Sequence, residues 1–186
     1  IPDIMGGIEP HCQQLYPRIV ERGAMVVIFA RKAYTPQKTP YRYKRVQVVP
    51  VYAPKISGLE TFVHTFRCLY KVLAWKPDIV HLHAIGPSFV APIFRLAGLK
   101  VVYTLYGQDY NRAKWGWFAK AILRISEFVG TKFSNRAIVI PDLLEQWLKK
   151  KFHCKTTVRI NNGVTLLPPL PEDKTKKWLG KYGLEG

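Results

Sequence analysis

The chain has 186 residues and a formal net charge of +17, from 29 Lys and Arg against 12 Asp and Glu. With 48% hydrophobic and 22% charged residues it can bury a core, which excludes wholesale disorder, and its length suits one ordinary domain or a large part of two. The basic excess points to polyanionic company: nucleic acid, an anionic membrane face or phosphorylated ligands.

In chain order, strand and helix patterns alternate, which predicts an α/β fold with a largely parallel sheet. Residues 9–22 read as a helix stopped by Gly23 and interrupted at Pro17, and 25–30 (MVVIFA) as a buried strand. The Pro- and Lys-rich stretch 31–45 reads as an exposed loop and 46–52 as a strand. In the next segment Leu59, Phe62, Phe66, Leu69 and Leu73 recur at spacings of three and four, predicting a helix to Trp75. After the turn Lys76-Pro77-Asp78 come a strand over 79–83, a short apolar helix over 88–97 ended by Gly98, and a strand over 100–105 (KVVYTL). A polar loop, 106–112, leads into a helix over 115–133, then a strand at 137–140, a helix at 143–152 and a strand at 157–160. Pro168, Pro169 and Pro171 mark a linker, followed by a basic amphipathic segment from Glu172 to Tyr182. A Gly pair that opens a helix ordinarily follows a strand, so a first strand is expected ahead of Gly6-Gly7. The reading is one domain over 1–167, with 168–186 as linker and start of a crossover.

No apolar run approaches the roughly 18 residues that a membrane span needs. The first residues carry Pro2, Asp3 and the glycine pair with no basic stretch, so they do not read as a secretory signal. Cys12, Cys68 and Cys154 are far apart and form no C-x-x-C pair; they read as small buried hydrophobes in a reduced, cytosolic setting. The charge is clustered: residues 22–59 hold eight basic residues and no acid, interleaved with Tyr34, Tyr41, Tyr43 and Tyr52. A second acid-free window, 110–126, sets Arg112, Lys114, Lys120 and Arg124 beside Trp115, Trp117 and Phe118. Those aromatics read as core packing, or as side chains that dip into a membrane interface.

Three motifs bear chemistry. Gly6-Gly7 ahead of Glu9 is either a plain turn or a place where backbone N–H groups approach a phosphate at a helix start. His81 and His83 lie two apart on a strand and so share a face; packing, an active-site lining and a metal pair are all open, although no nearby carboxylate or Cys supplies a third metal ligand. The C-terminal ends of strands are where open α/β sheets bind ligands. Asp109 follows such an end, and Arg112 and Lys114 would keep its carboxylate ionised, in a site or as a loop ion pair. Ile160-Asn161-Asn162-Gly163-Val164 closes the last strand.

Taken together, Gly6-Gly7-Ile8-Glu9, Lys76 to His83 (KPDIVHLH), Thr104 to Trp115 (TLYGQDYNRAKW) and Ile160 to Val164 resemble the N-terminal domain of glycosyltransferase family 4 enzymes. The resemblance implies a Rossmann-like three-layer domain, half of a two-domain GT-B architecture, with sugar transfer from a nucleotide sugar to a lipid-linked or polysaccharide acceptor, usually with retention. It matches Gly6 and Gly7 to the donor pyrophosphate loop, Tyr106 to a position beside the transferred sugar, and Asp109 with Arg112 to the acceptor-side loop; Tyr106 and Asp109 are the catalytic candidates, and Glu9, His83, Arg112 and Lys114 the acceptor-binding ones. No metal or other cofactor is implied, and the second, donor-binding domain is expected to lie outside this sequence. Peripheral attachment to the cytoplasmic membrane face is implied too. The sequence departs from the family pattern at Tyr106, where His is usual, at Ala24, where Arg-Gly-His is usual, at Pro141, where Ser is usual, and at Asn161, where Pro is usual. A tyrosine titrates near ~10 and does not replace an imidazole at neutral pH. The competing reading is a non-enzymatic module docking on anionic membranes through 31–45 and 112–124. Nucleic acid is disfavoured, because no recognition motif accompanies the charge.

Overall fold

A computed structural model describes residues 7–56, 59–111, 113, 115–163 and 171–183. For Asp109, Glu172, Asp173, Lys177 and Trp178 only the backbone is described. The chain folds as α1 (Ile8–Glu21), β1 (Val27–Arg31), β2 (Tyr41–Tyr43), β3 (Val46–Val51), α2 (Leu59–Trp75), β4 (Ile79–His83), α3 (Ala91–Leu96), β5 (Lys100–Leu105), α4 (Trp117–Phe133), β6 (Arg136–Val139), α5 (Asp142–Phe152), β7 (Thr157–Arg159) and α6 (Glu172–Tyr182). The expected alternation and parallel pairing are present. Strands β4, β5, β6 and β7 form an all-parallel sheet in that order, and β1, β3 and β2 form a second sheet in which only β2 runs antiparallel. The predicted linker and the expected first strand fall largely on 164–170 and on residues before Gly7, outside the described residues.

Three local expectations are corrected. Helix α1 runs unbroken through Pro17, because Tyr16 and Pro17 are its buried residues and their packing holds the turn where the proline N–H is missing. Gly23, at φ +91, then ends it in a conformation that glycine adopts without a steric penalty. The stretch 31–45 is not all loop. It contains a 3-10 turn at Lys32–Tyr34 and strand β2, joined to β3 by Lys44 and Arg45, both left-handed at φ 45 and 67. The apolar segment after β4 starts as a 3-10 turn, Gly86–Val90, before α3.

The larger core lies over the four-stranded sheet. Val80, Leu82, Val101, Tyr103, Leu105, Ala137 and Val139 alternate inward from the strands and meet Ile85, Phe94, Leu123 and Leu148 from the helical layers. Helix α4 approaches the 3-10 turn closely at Gly130, where a Cβ would stand 2.4 Å from Ser88 Cβ. Ser88 is fully buried, and its hydroxyl reaches the Ser126 carbonyl at 2.6 Å, tying that turn to α4. The smaller sheet packs round Ala30 and Val48.

Candidate functional site

The C-terminal ends of β4 and β5 and helix α1 converge on one cluster. His81 and His83 alternate with buried Val80 and Leu82 along β4, so both imidazoles leave the same side of the strand, with ring centroids 4.1 Å apart. From α1, Tyr16 points its hydroxyl between them, 3.0 Å from His81 Nδ1 and 2.5 Å from His83 Nε2. From β5, Thr104 Oγ1 lies 2.7 Å from His81 Nε2. Just past β5, the Tyr106 hydroxyl lies 2.8 Å from His83 Nδ1. His11, one turn earlier on α1, meets the Tyr106 ring edge-on at a centroid distance of 5.6 Å and hydrogen-bonds Asn162 beyond β7. The chain leaves β4 through Ala84 at φ 66, a strained conformation for a residue with a Cβ, held by Ala84 N–H donating to the Thr104 carbonyl at 3.0 Å.

The cluster is held in neutral forms. Burial brings His81 down to about 4, reinforced by the positive field His11 would carry, and puts His83 well below the usual histidine range. Burial also lowers His11, against its bond to Asn162. The Cys12 thiol is pushed up to about 12, first by burial and then by Glu9, so it is no thiolate nucleophile at neutral pH. Burial raises the hydroxyls of Tyr16 and Tyr106 further. With His81 and His83 held far below neutrality, these two imidazoles suit hydrogen bonding to a hydroxyl- or phosphoryl-rich ligand better than proton abstraction. Among the described residues no group of three or more His, Cys, Asp and Glu assembles to hold a metal ion.

Of the sequence-predicted residues, the structure brings Glu9, His83 and Tyr106 together and describes Gly7 at the start of the helix that carries Glu9. Gly7 is the N-cap of α1, exposed and with open space where a side chain would go; Glu9 is in the first turn, close enough to act on Cys12 and Tyr106; and His83 and Tyr106 are in direct contact. Gly6, Arg112 and Lys114 lie outside the described residues. The backbone of Asp109 opens a 3-10 turn, Asp109–Asn111, and the anchor of that turn is its neighbour. Tyr110 is buried and donates to Glu127 Oε2 at 3.0 Å, with the Arg124 guanidinium 5.3 Å over its ring. Sequence reasoning missed His11, Tyr16, Thr104 and Asn162 as site members. The signal available was Cys12 and Tyr16, four apart and so on one face of the helix that follows the glycine pair. The default that places Trp117 and Phe118 in the core is also corrected: they are 82% and 63% exposed, while Trp115 packs against the core.

A sequence model described as Glycosyltransferase Family 4 matches residues 5–166. Among solved structures, the chain is similar to sucrose-phosphate synthase from Thermosynechococcus elongatus, with a TM-score of 0.73 and 16% identity over 94% of this chain and 47% of that one. A second structure under that protein's name, from the same organism, matches with a TM-score of 0.62 and 14% identity over 93% of this chain and 92% of that one. The chain therefore spans about half the length of the first of these structures. At such identities the likeness is one of fold. No curated protein sequence matches the chain.

Proposed function

The chain belongs to glycosyltransferase family 4, and from that premise we propose that it forms the acceptor-side wall of a sugar-transfer cleft, with a nucleotide sugar as donor and a lipid-linked or polysaccharide acceptor. The observation that carries this reading is the neutral cluster of hydroxyls and imidazoles at the C-terminal ends of β4 and β5, facing the N-terminal turns of α1. Polar, uncharged groups of this kind match sugar hydroxyls, and the α1 N-terminus with exposed Gly7 matches a phosphate. In this reading Gly6 and Gly7 face the donor pyrophosphate and Tyr106 borders the transferred sugar. Asp109, Arg112 and Lys114 shape the acceptor loop, with Glu9 and His83 behind it. No metal or cofactor takes part, and transfer proceeds with retention.

Family chemistry needs a cleft closed round the donor, and the chain spans 47% of the first structure it is similar to. The chain by itself is therefore proposed to bind but not to turn over. The acceptor side is proposed to lie peripherally on the cytoplasmic membrane face. Supporting this, exposed Trp117, Phe118, Ile125 and Phe128 fall with Arg124 and Lys132 in one arc of α4 that carries no acid.

Two-dimensional NMR of the chain titrated with a panel of common nucleotide sugars and oligosaccharides tests the site. Shifts are expected at Gly7, Glu9, His83 and Tyr106, and Tyr106→Phe should weaken binding roughly five- to tenfold, the share of about 1 kcal/mol that one neutral hydrogen bond contributes. No shift at these residues with any ligand of the panel rejects the site. Sugar transfer by the chain alone rejects the half-site reading.

A further inference from the structure

Thr104, His81, Tyr16, His83 and Tyr106 form one unbroken line of hydrogen bonds through the site, at 2.7, 3.0, 2.5 and 2.8 Å. A neutral imidazole has one N–H and one bare nitrogen, and a hydroxyl has a single hydrogen. Each imidazole spends both its nitrogens on its two neighbours. If Tyr16 accepted from both imidazoles, its own hydrogen would be buried with no acceptor. With Tyr16 donating to one and accepting from the other, the direction of any one bond sets all the others, and two arrangements remain. In the inward one, Tyr106 donates to His83, His83 to Tyr16, Tyr16 to His81 and His81 to Thr104. In the outward one, every bond is reversed.

The two ends decide between them. Thr104 is 2% exposed, and among the described residues the partner of its hydroxyl is His81. Inward polarity strands the Thr104 hydrogen in the protein interior with no acceptor, which is the costly state of a buried donor. Outward polarity gives that hydrogen to His81 Nε2. The hydrogen left over is then the one on Tyr106, at the half-buried mouth of the cluster beside His11, where a ligand or water can accept it.

We propose that the line runs outward, so that Tyr106 is a fixed hydrogen-bond donor to a ligand oxygen, with Thr104, His81, Tyr16 and His83 as positioning residues that set its polarity. The site then selects an oxygen acceptor at this point, a sugar hydroxyl or a phosphoryl oxygen, and disfavours an N–H donor. Only the identity of the ligand rests on the sugar-transfer reading; the polarity rests on the geometry of the chain itself. The arrangement needs both imidazoles neutral, since an imidazolium donates from both nitrogens and breaks the sequence of bonds. Burial keeps them so. The other titratable groups that face the line are His11, Cys12 and Glu9, all on α1.

The test is nitrogen-15 NMR of the histidine rings in the unliganded chain at neutral pH. The expected result is the Nδ1–H tautomer for both His81 and His83. Thr104→Val should abolish that uniform pattern, and Thr104→Ser, which keeps the hydroxyl, should restore it. An Nε2–H signal at His83 in the parent chain means that Tyr106 donates inward and overturns the proposal. So does a Thr104→Val spectrum with both rings unchanged. The parent spectrum alone decides the polarity if the Val variant does not fold. Because no ligand is present, failure of the sugar-transfer reading leaves this outcome untouched, and an inward polarity leaves that reading standing.

Discussion

Glu127 is a fully buried acid on α4 whose Oε2 accepts from Tyr110 and whose Oε1 has no hydrogen-bond partner among the described residues. Burial pushes its carboxyl up to about 7, against the opposing bond from Tyr110 and the cation of Lys151. A carboxyl that titrates higher folded than unfolded holds its proton in the folded state across that window, so its contribution to stability is complete below about 4.5 and is lost as pH rises through about 7. Gln imitates the protonated form. Relative to the parent, Glu127→Gln should therefore gain about 2 kcal/mol of stability on going from pH 5 to pH 8, read from urea midpoints. A difference that does not change with pH would show that the carboxyl is not protonated in the fold. His81 and His83 have the opposite sign: their folded values are depressed, so their contribution is present above about 6.5 and is lost as pH falls through the folded values, for His81 at about 4.

The hairpin β2–β3 is the element that local sequence conceals. A two-residue hairpin turn of type I′ needs positive φ at both central positions, and its usual signal is Asn-Gly or Asp-Gly. Here the positions hold Lys44 and Arg45, at φ 45 and 67, so a charged pair sits where glycine is favoured. The sheet pairing Tyr41 with Val48 and Tyr43 with Val46 imposes the turn, because Val46 and Val48 are fully buried on the inner face. Replacing Lys44-Arg45 by Asn-Gly should remove that strain and raise the urea midpoint by an amount worth about 1 kcal/mol. An unchanged midpoint would mean that the left-handed pair costs nothing here. On α4 the opposite holds: Gly130 is required by Ser88 from across the interface, at a position where helical propensity alone would favour alanine.

For the molecule as a whole, the basic excess and the α4 stripe bear on the same question. Each Lys or Arg near an anionic lipid surface contributes about 1 kcal/mol, and the exposed aromatics add interfacial anchoring. The chain should float with vesicles of mixed phosphatidylcholine and phosphatidylserine, be released by salt, and bind less after Trp117→Ala with Phe118→Ala. Equal flotation with neutral vesicles would dismiss the anionic-membrane proposal. No helix among the described residues is long and apolar enough to cross a membrane.

The sequence by itself determined the order of elements and the parallel sheet, because continuous apolar runs such as Lys100–Leu105 and the three-four spacing of Leu59–Trp75 are local signals that burial enforces. It also placed His83 and Tyr106 at strand ends, since alternation and turn residues mark where strands stop. It did not reveal that Tyr16 stands between two histidines that lie 65 and 67 residues away, nor that Asn162 reaches His11. Those contacts come from the packing of α1 across the strand ends, and no local pattern encodes a contact between distant segments. Titration behaviour followed the same division. His81, Cys12 and Glu127 carry ordinary side chains in sequence, and only their burial in the tertiary structure moves them to about 4, about 12 and about 7.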